Sequence, residues 1–158
     1  MDIKIDCNEG KFKYRVCGIL KHNNKYLVVK INNNNFFCLP GGHVELGEDS
    51  GQAVLREMKE ELGFDVKIEK LVAINQNFFK TEEGKPFHEL GFYYVVNAVD
   101  DTKINCNDHN IEELDKGKIQ HLQFKWFSAG ELQSQDFRPK FLIDCLNKDN
   151  VTINVTKD

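Results

Sequence analysis

The 158 residues contain no Cys-x-x-Cys pair, no apolar run of bilayer-spanning length, no internal repeat and no linker-like stretch. Each absence removes a class. The five cysteines, Cys7, Cys17, Cys38, Cys106 and Cys145, are odd in number and scattered. That pattern argues against a disulfide framework and for a reducing, cytoplasmic compartment. A membrane-crossing helix needs about 20 consecutive apolar residues, and no such stretch is present. Met1 to Gly10 carries Asp2, Lys4, Asp6 and Glu9 where a secretory signal has its apolar core. A basic surplus is missing as well: 21 Lys and Arg against 25 Asp and Glu give a formal net charge of -4. A nucleic-acid polymer is gripped by clustered Lys and Arg, so it is not the expected partner. Small anions stay open, because carboxylates can hold them through bridging cations.

What is present suits a folded domain. The composition is 41% hydrophobic and 29% charged, too apolar for a disordered chain. The length fits one domain over residues 1–158, expected as a monomer or homodimer. Phe12 to Leu20 and Tyr26 to Ile31 read as strands around a turn at His22 to Lys25. Val66 to Ile74, Leu90 to Val99 and Leu122 to Phe127 read as further strands. Asp100 to Lys118 reads as a polar surface loop, and Val151 to Val155 as a small strand or tail. Ala129 to Leu132 reads as a helical turn, and Pro139 to Leu146 as a short helix with proline near its start. Strands outnumbering helices predict an α/β class with a mixed sheet sandwiched between helices.

The clearest helix runs from Ser50 to Leu62, capped by Asp49 or Ser50 and ended by Gly63. Val54, Leu55, Met58 and Leu62 keep helical spacing and define its buried face. Glu57, Glu60 and Glu61 stand at i, i+3 and i+4, so their side chains share another face. Like charges so placed repel, and a divalent cation would relieve them. Three glutamates on a helix are more often a solvated surface, and Arg56 with Glu60 could be an ordinary surface pair. The neighbourhood raises the odds. Pro40-Gly41-Gly42 lets the backbone turn close to a ligand. Glu45 and Glu48 add carboxylates, and Arg56 adds a permanent forked cation.

In order, the segment has Gly42, five residues, Glu48, seven residues, Arg56-Glu57, two residues, Glu60-Glu61, one residue, then Gly63-Phe64. This string resembles the Nudix box, with all seven fixed polar and glycine positions in register over 23 residues. Met58 and Phe64 depart from the usual aliphatics but stay apolar. Leu39-Pro40-Gly41-Gly42, the preceding hairpin, and Trp126-Phe127 followed by a short helix also fit the family's layout.

The resemblance implies a Nudix fold and cleavage of a nucleoside diphosphate linked to another moiety, by water attack on phosphorus. It implies Mg2+, with Mn2+ as a substitute. By the same analogy Glu57, Glu60 and Glu61 bind the metal, with a carbonyl from Gly41 or Gly42 as a further ligand. Glu48 and Arg56 become the supporting ion pair, and Glu57 or Glu60 the favoured general base. Glu112 and Glu113 are candidates for a base from a distant loop. A catalytically silent nucleotide-binding module is the alternative reading.

Outside the box the signals thin. Arg15 is a candidate for a phosphate, Arg138 for a leaving group, and His88-Glu89 for the cleft wall. Phe36, Phe37, Phe78, Phe79 and Phe87 lie near loops. Most read as core, with Phe37 kept as a substrate-stacking candidate. Cys106, His109 and His121 lack the second ligand pair of a zinc site. The proline that marks ADP-ribose members a short way beyond the box is absent around Phe78 to Lys80, the nearest being Pro86. The NADH and coenzyme-A signatures are missing too. A compact, MutT-like nucleotide hydrolase is the nearest picture.

Overall fold

The computed structural model describes residues 1–115 and 117–158. Strand β1 (Lys4–Cys7) turns into the long β2 (Gly10–His22), and a two-residue turn leads to β3 (Lys25–Ile31). Asn23 and Asn24 hold that turn with φ of 48° and 60°, a conformation asparagine tolerates. A short β4 (Gly41–His43) precedes α1 (Ser50–Leu62). Then come β5 (Val66–Lys80), β6 (Pro86–Ala98), a 3-10 turn at Asp101–Lys103, β7 (His109–Asp115) and β8 (Lys118–Phe127). Helices α2 (Ala129–Ser134) and α3 (Leu142–Cys145) lead to β9 (Thr152–Lys157).

The strands order as β7-β8-β3-β2-β6-β5-β9, with β1 and β4 also paired to β2. The β2–β6 and β5–β9 pairs are parallel and the others antiparallel, so the sheet is mixed. Alternation along β2 sends residues to opposite faces. Val16 and Leu20 pack with Leu27, Phe124 and Trp126 beneath Ala53, Val54 and Met58 of α1. Cys17 and Ile19 pack with Val28 and Tyr93 against Leu132 of α2 and Leu142 of α3. Helices therefore flank the sheet on both sides, as the sequence predicts.

Helix α1 has the expected bounds. Asp49 accepts a hydrogen bond from Gln52 N–H while the Gln52 side chain accepts from Asp49 N–H, a capping box. Gly63 closes the helix in the left-handed region at φ 79° and donates its N–H to Lys59 O.

Several elements differ from the sequence reading. The stretch expected as a loop, Asp100 to Lys118, holds β7, an edge strand whose Glu112, Glu113 and Asp115 obscure its alternation. Charges are what edge strands commonly carry. Pro139 does not open a helix: the Arg138–Pro139 peptide is cis, and α3 begins at Leu142. Strands β5 and β6 run past the expected ends, pairing out to Lys80 and Pro86 beyond the helical cover.

Gly18 lets α1 approach β2. A Cβ there would lie 2.5 Å from the Met58 sulfur, and Met58 is fully buried. Met58→Ala is expected to lower unfolding free energy by about 2–5 kcal/mol in urea titrations. Asp49→Ala, which removes the cap, is expected to cost about 1 kcal/mol. An unchanged midpoint for Met58→Ala would mean that α1 does not dock as described.

Candidate functional site

The strand β4 and the loop to Asp49 lie against the polar face of α1. Gly42 is why they can. A Cβ at Gly42 would fall 2.2 Å from the Glu57 carboxyl carbon, so a side chain would occupy the carboxylate's place. Glu57 Oε1 accepts from Arg56 Nη1 at 2.8 Å. The Arg56 fork also donates to Glu48, from Nε at 2.8 Å and Nη2 at 2.9 Å, and from Nη2 to the His43 carbonyl at 2.9 Å. Glu48 in turn accepts from Glu45 N–H at 3.0 Å, which ties the loop to the helix. Such charge-assisted bonds contribute about 1.5–3 kcal/mol each when shielded. Only 28% of the Arg56 side chain and 16% of that of Glu48 remain exposed.

The carboxylates fall into unlike environments. Glu48 is held below its ordinary pKa by the Arg56 hydrogen bonds. Glu57 is pushed up by burial, with Arg56 opposing and Glu60 adding to the rise. Glu60 is half exposed and 3.5 Å from Arg56 Nη1. Glu61 lies on the other flank, where its Oε2 accepts from Gly41 N–H at 3.3 Å. Burial, then the charges of Glu113 and Glu57, push it well above the ordinary range, and Arg15 opposes them.

Glu113 thus acts on the site, raised itself by burial, Asp115 and Glu60. Its neighbour Glu112 points outward and pairs with His121 at 3.2 Å. The two acids, equivalent in sequence, are separated by strand alternation.

The remaining candidates scatter. Arg15 on β2 faces Glu89 on β6 at 3.8 Å and opposes the upward shifts at both Glu57 and Glu61. Phe37 goes to the core: it is 5% exposed, packs edge-on to Phe127 and is covered by Lys30. Its ring has no free face for a base. Arg138 is occupied by Asp136 at 2.9 Å and by the Phe36 ring. His109 stacks on Phe124, and the Phe78 ring stacks on His88.

Sequence reading passed over Asn75, Asn77 and His43. Asn75 is 1% exposed, the buried polar residue among the described core positions. The available signal was two asparagines spaced by two inside a strand, where asparagine is depleted.

Among the described residues no three metal-ligating side chains already converge into a cage. The donor set still fits magnesium. It is all oxygen, and magnesium is held by one or two carboxylates, waters and substrate phosphates rather than by a dedicated protein cage. The upward-shifted Glu57 and Glu61 are groups whose ionised form a cation would favour.

A family model for the NUDIX domain matches residues 11–145. An ADP-ribose pyrophosphatase of Methanocaldococcus jannaschii is 36% identical over 87 residues, 53% of this chain and 50% of that one. An 8-oxo-dGTP diphosphatase of Proteus vulgaris is 43% identical over 49 residues, 29% of this chain and 44% of that one. The chain therefore spans about half the length of these relatives. Among solved structures, a MutT Nudix hydrolase from Burkholderia pseudomallei superposes with a TM-score of 0.62 at 19% identity, covering 86% of this chain and 98% of that one. A Nudix hydrolase from Nitrosomonas europaea gives a TM-score of 0.63 at 19% identity, covering 92% and 79%. Those two likenesses speak to the fold. With the box residues in register on α1 and a family match over most of its length, the chain belongs to the Nudix family.

Proposed function

We propose that this chain is a pyrophosphohydrolase that cleaves a nucleoside diphosphate linked to another moiety, with residues 1–158 acting as one domain. The observation that carries the reading is the unequal pair of flanks on α1. Arg56 locks Glu48 and Glu57 to the loop, while Glu61 stays partly buried under the repulsion of Glu57 and Glu113. A surface ion-pair network would not keep a carboxylate so placed.

Glu57, Glu60 and Glu61, with the Gly42 carbonyl, would hold Mg2+ or Mn2+. When bound, the metal would offset phosphate charge and acidify water. The chain's own residues divide the remaining work. Glu48 and Arg56 orient the loop against the helix. The general base would be Glu57 or Glu60, with Glu113 of β7, whose charge acts on Glu61, as the alternative. A carboxylate with a raised pKa suits the role, because it can accept a proton near neutral pH. Arg15, whose charge opposes the upward shifts of Glu57 and Glu61, would meet a phosphate. Two named relatives frame the substrate range: a sugar-linked nucleoside diphosphate and a modified nucleoside triphosphate.

The test is a Mg2+-dependent hydrolysis panel of ADP-ribose, UDP-glucose, dinucleoside polyphosphates and nucleoside triphosphates. Glu57→Gln and Glu61→Gln are expected to lower kcat by about 100-fold or more. Arg56→Lys, which loses the planar fork, is expected to lose about 10- to 100-fold. A wild type as inert as its variants across the panel would replace hydrolysis with silent nucleotide binding.

The shifts also predict a stability profile. Glu61 has a folded-state pKa raised above its ordinary 4.5. Its contribution is therefore fully present below about pH 4.5 and lost as pH rises through the folded value. In a chelator at pH 7.5, Glu61→Gln is expected to melt higher than wild type, and the gap to close as pH approaches 4.5. Adding Mg2+ should raise the wild-type Tm more than that of the variant. A variant that melts lower at pH 7.5 in chelator would contradict the burial of an ionisable Glu61.

A further inference from the structure

The strand order ends on β7 at one side of the sheet and on β9 at the other. An edge strand offers unpaired N–H and C=O groups to any other strand, and charges, prolines and bulges are the common protection. Edge β7 has such protection, because Glu112, Glu113 and Asp115 place charges on both of its sides. Edge β9 is different. Thr152 to Thr156 holds no charge, no proline and no glycine, and Lys157 is the charged residue of the strand. It pairs with β5 residue for residue, from Ala73 with Thr152 to Phe78 with Lys157. Threonine, isoleucine and valine suit a strand. β9 is a regular strand whose outer side stays open.

Its groups divide by parity. Asp158 donates its N–H to Phe78 O on β5. Alternate residues of a strand bond to opposite sides. Thr152, Asn154 and Thr156 therefore turn their backbone groups to β5, and Ile153, Val155 and Lys157 turn theirs outward. The side chains divide in the same way. Asn154 and Thr156 bond to Asn75 on one face. On the other face Val151, Ile153 and Val155 follow one another, 47%, 75% and 51% exposed. Single exposed apolar residues are ordinary, whereas a contiguous row marks a contact surface.

The order of residues says what fits this edge. Thr152-Ile153-Asn154-Val155-Thr156 reads nearly alike in both directions. Laid antiparallel on a second copy and centred on Asn154, Thr152 meets Thr156, Ile153 meets Val155 and Asn154 meets its own counterpart. Ile153 and Val155 are residues with outward backbone groups, so this register gives them the hydrogen-bonded pairs of an antiparallel ladder. Threonine then faces threonine and aliphatic faces aliphatic, which are favourable cross-strand pairs. The ends complement each other in charge. Lys157 falls opposite Val151 of the second copy and one diagonal step from its Asp149, whose side chain is fully exposed.

We propose that two copies of this chain pair along β9, antiparallel and centred on Asn154, into one sheet continuous through both. Such a contact uses the same edge twice and closes at two copies. The charged β7 edges, now at the far ends, do not extend it. Six residues per strand make a smaller seam than a standard interface, so the dimer is concentration-dependent rather than permanent. The seam contains none of the residues assigned to the site on α1 and is independent of the reaction performed there.

Sedimentation equilibrium from about 10 to about 500 µM tests this. Wild type is expected to rise from the mass of one chain toward that of two. Ile153→Lys combined with Val155→Lys sets lysines opposite each other across the seam and is expected to weaken association about tenfold or more. Both positions are exposed in the single chain, so this variant should melt close to wild type at low concentration. Lys157→Asp is expected to weaken the dimer, and adding Asp149→Lys to restore it. Neither lost folding nor a merely adhesive apolar surface would give that recovery. A wild type that stays one chain throughout overturns the proposal and leaves the edge to a different partner. Growth past two chains, association of the double-lysine variant like wild type, or no recovery on reversing both charges overturns it equally.

Discussion

The Arg56 guanidinium reaches Glu48, Glu57 and Glu60 within 4 Å and also bonds the His43 carbonyl. It binds an acidic loop to an acidic helix face. Backbone pairing of β4 with β2 and the N-terminal ammonium on Glu45 hold the rest of the loop. Gly42 depends on the same arrangement, since the Glu57 carboxyl stands where its side chain would be. The compensation is incomplete by construction. One guanidinium satisfies one flank, while Glu61 stays on the other under the charges of Glu57 and Glu113. The residual repulsion is what a bound cation would relieve, so the residues proposed to hold the metal also hold the loop to the helix.

The two faces of the sheet are covered differently. On one face α1 covers an apolar core whose members are almost wholly buried. On the other, α2 and α3 cover only part of the sheet, and the core gives way to polar rows with unpaired buried atoms. A fold selected only for stability would fill those positions with apolar side chains. Arg15 stands at the border between the apolar core and the polar rows. It opposes the upward shifts of Glu57 and Glu61 and lies 3.8 Å from Glu89.

Sequence alone makes the helix legible because three independent signals coincide there: a capping aspartate, a terminal glycine and apolar residues at helical spacing. The structure gives Ser50–Leu62 as its bounds. The box glutamates are equally legible, since their placement follows from a single helix. What lay beyond reach depends on partners far along the chain. Strand β7 hides because its acidic residues mask the alternation, and only pairing with β8 identifies it. The difference between Glu112 and Glu113 is then a matter of which side of β7 each occupies. Phe37 looks like a stacking surface near a loop, but Phe127 and Phe137 draw it into the core. Asn75, Asn77 and His43 fall into rows only when β4, β2, β6 and β5 align them.

The central proposal is that burial and neighbouring charge raise the Glu61 pKa and that a bound cation would offset that rise. A ligand that must be deprotonated releases its proton as the metal binds. Calorimetric titration of Mn2+ at a series of pH values from about 4.5 upward, repeated in buffers of different ionisation enthalpy, counts that proton directly. The account predicts proton release on binding that is abolished in Glu61→Gln. Tight binding with no proton release in the wild type, or release that survives in the variant, would contradict it.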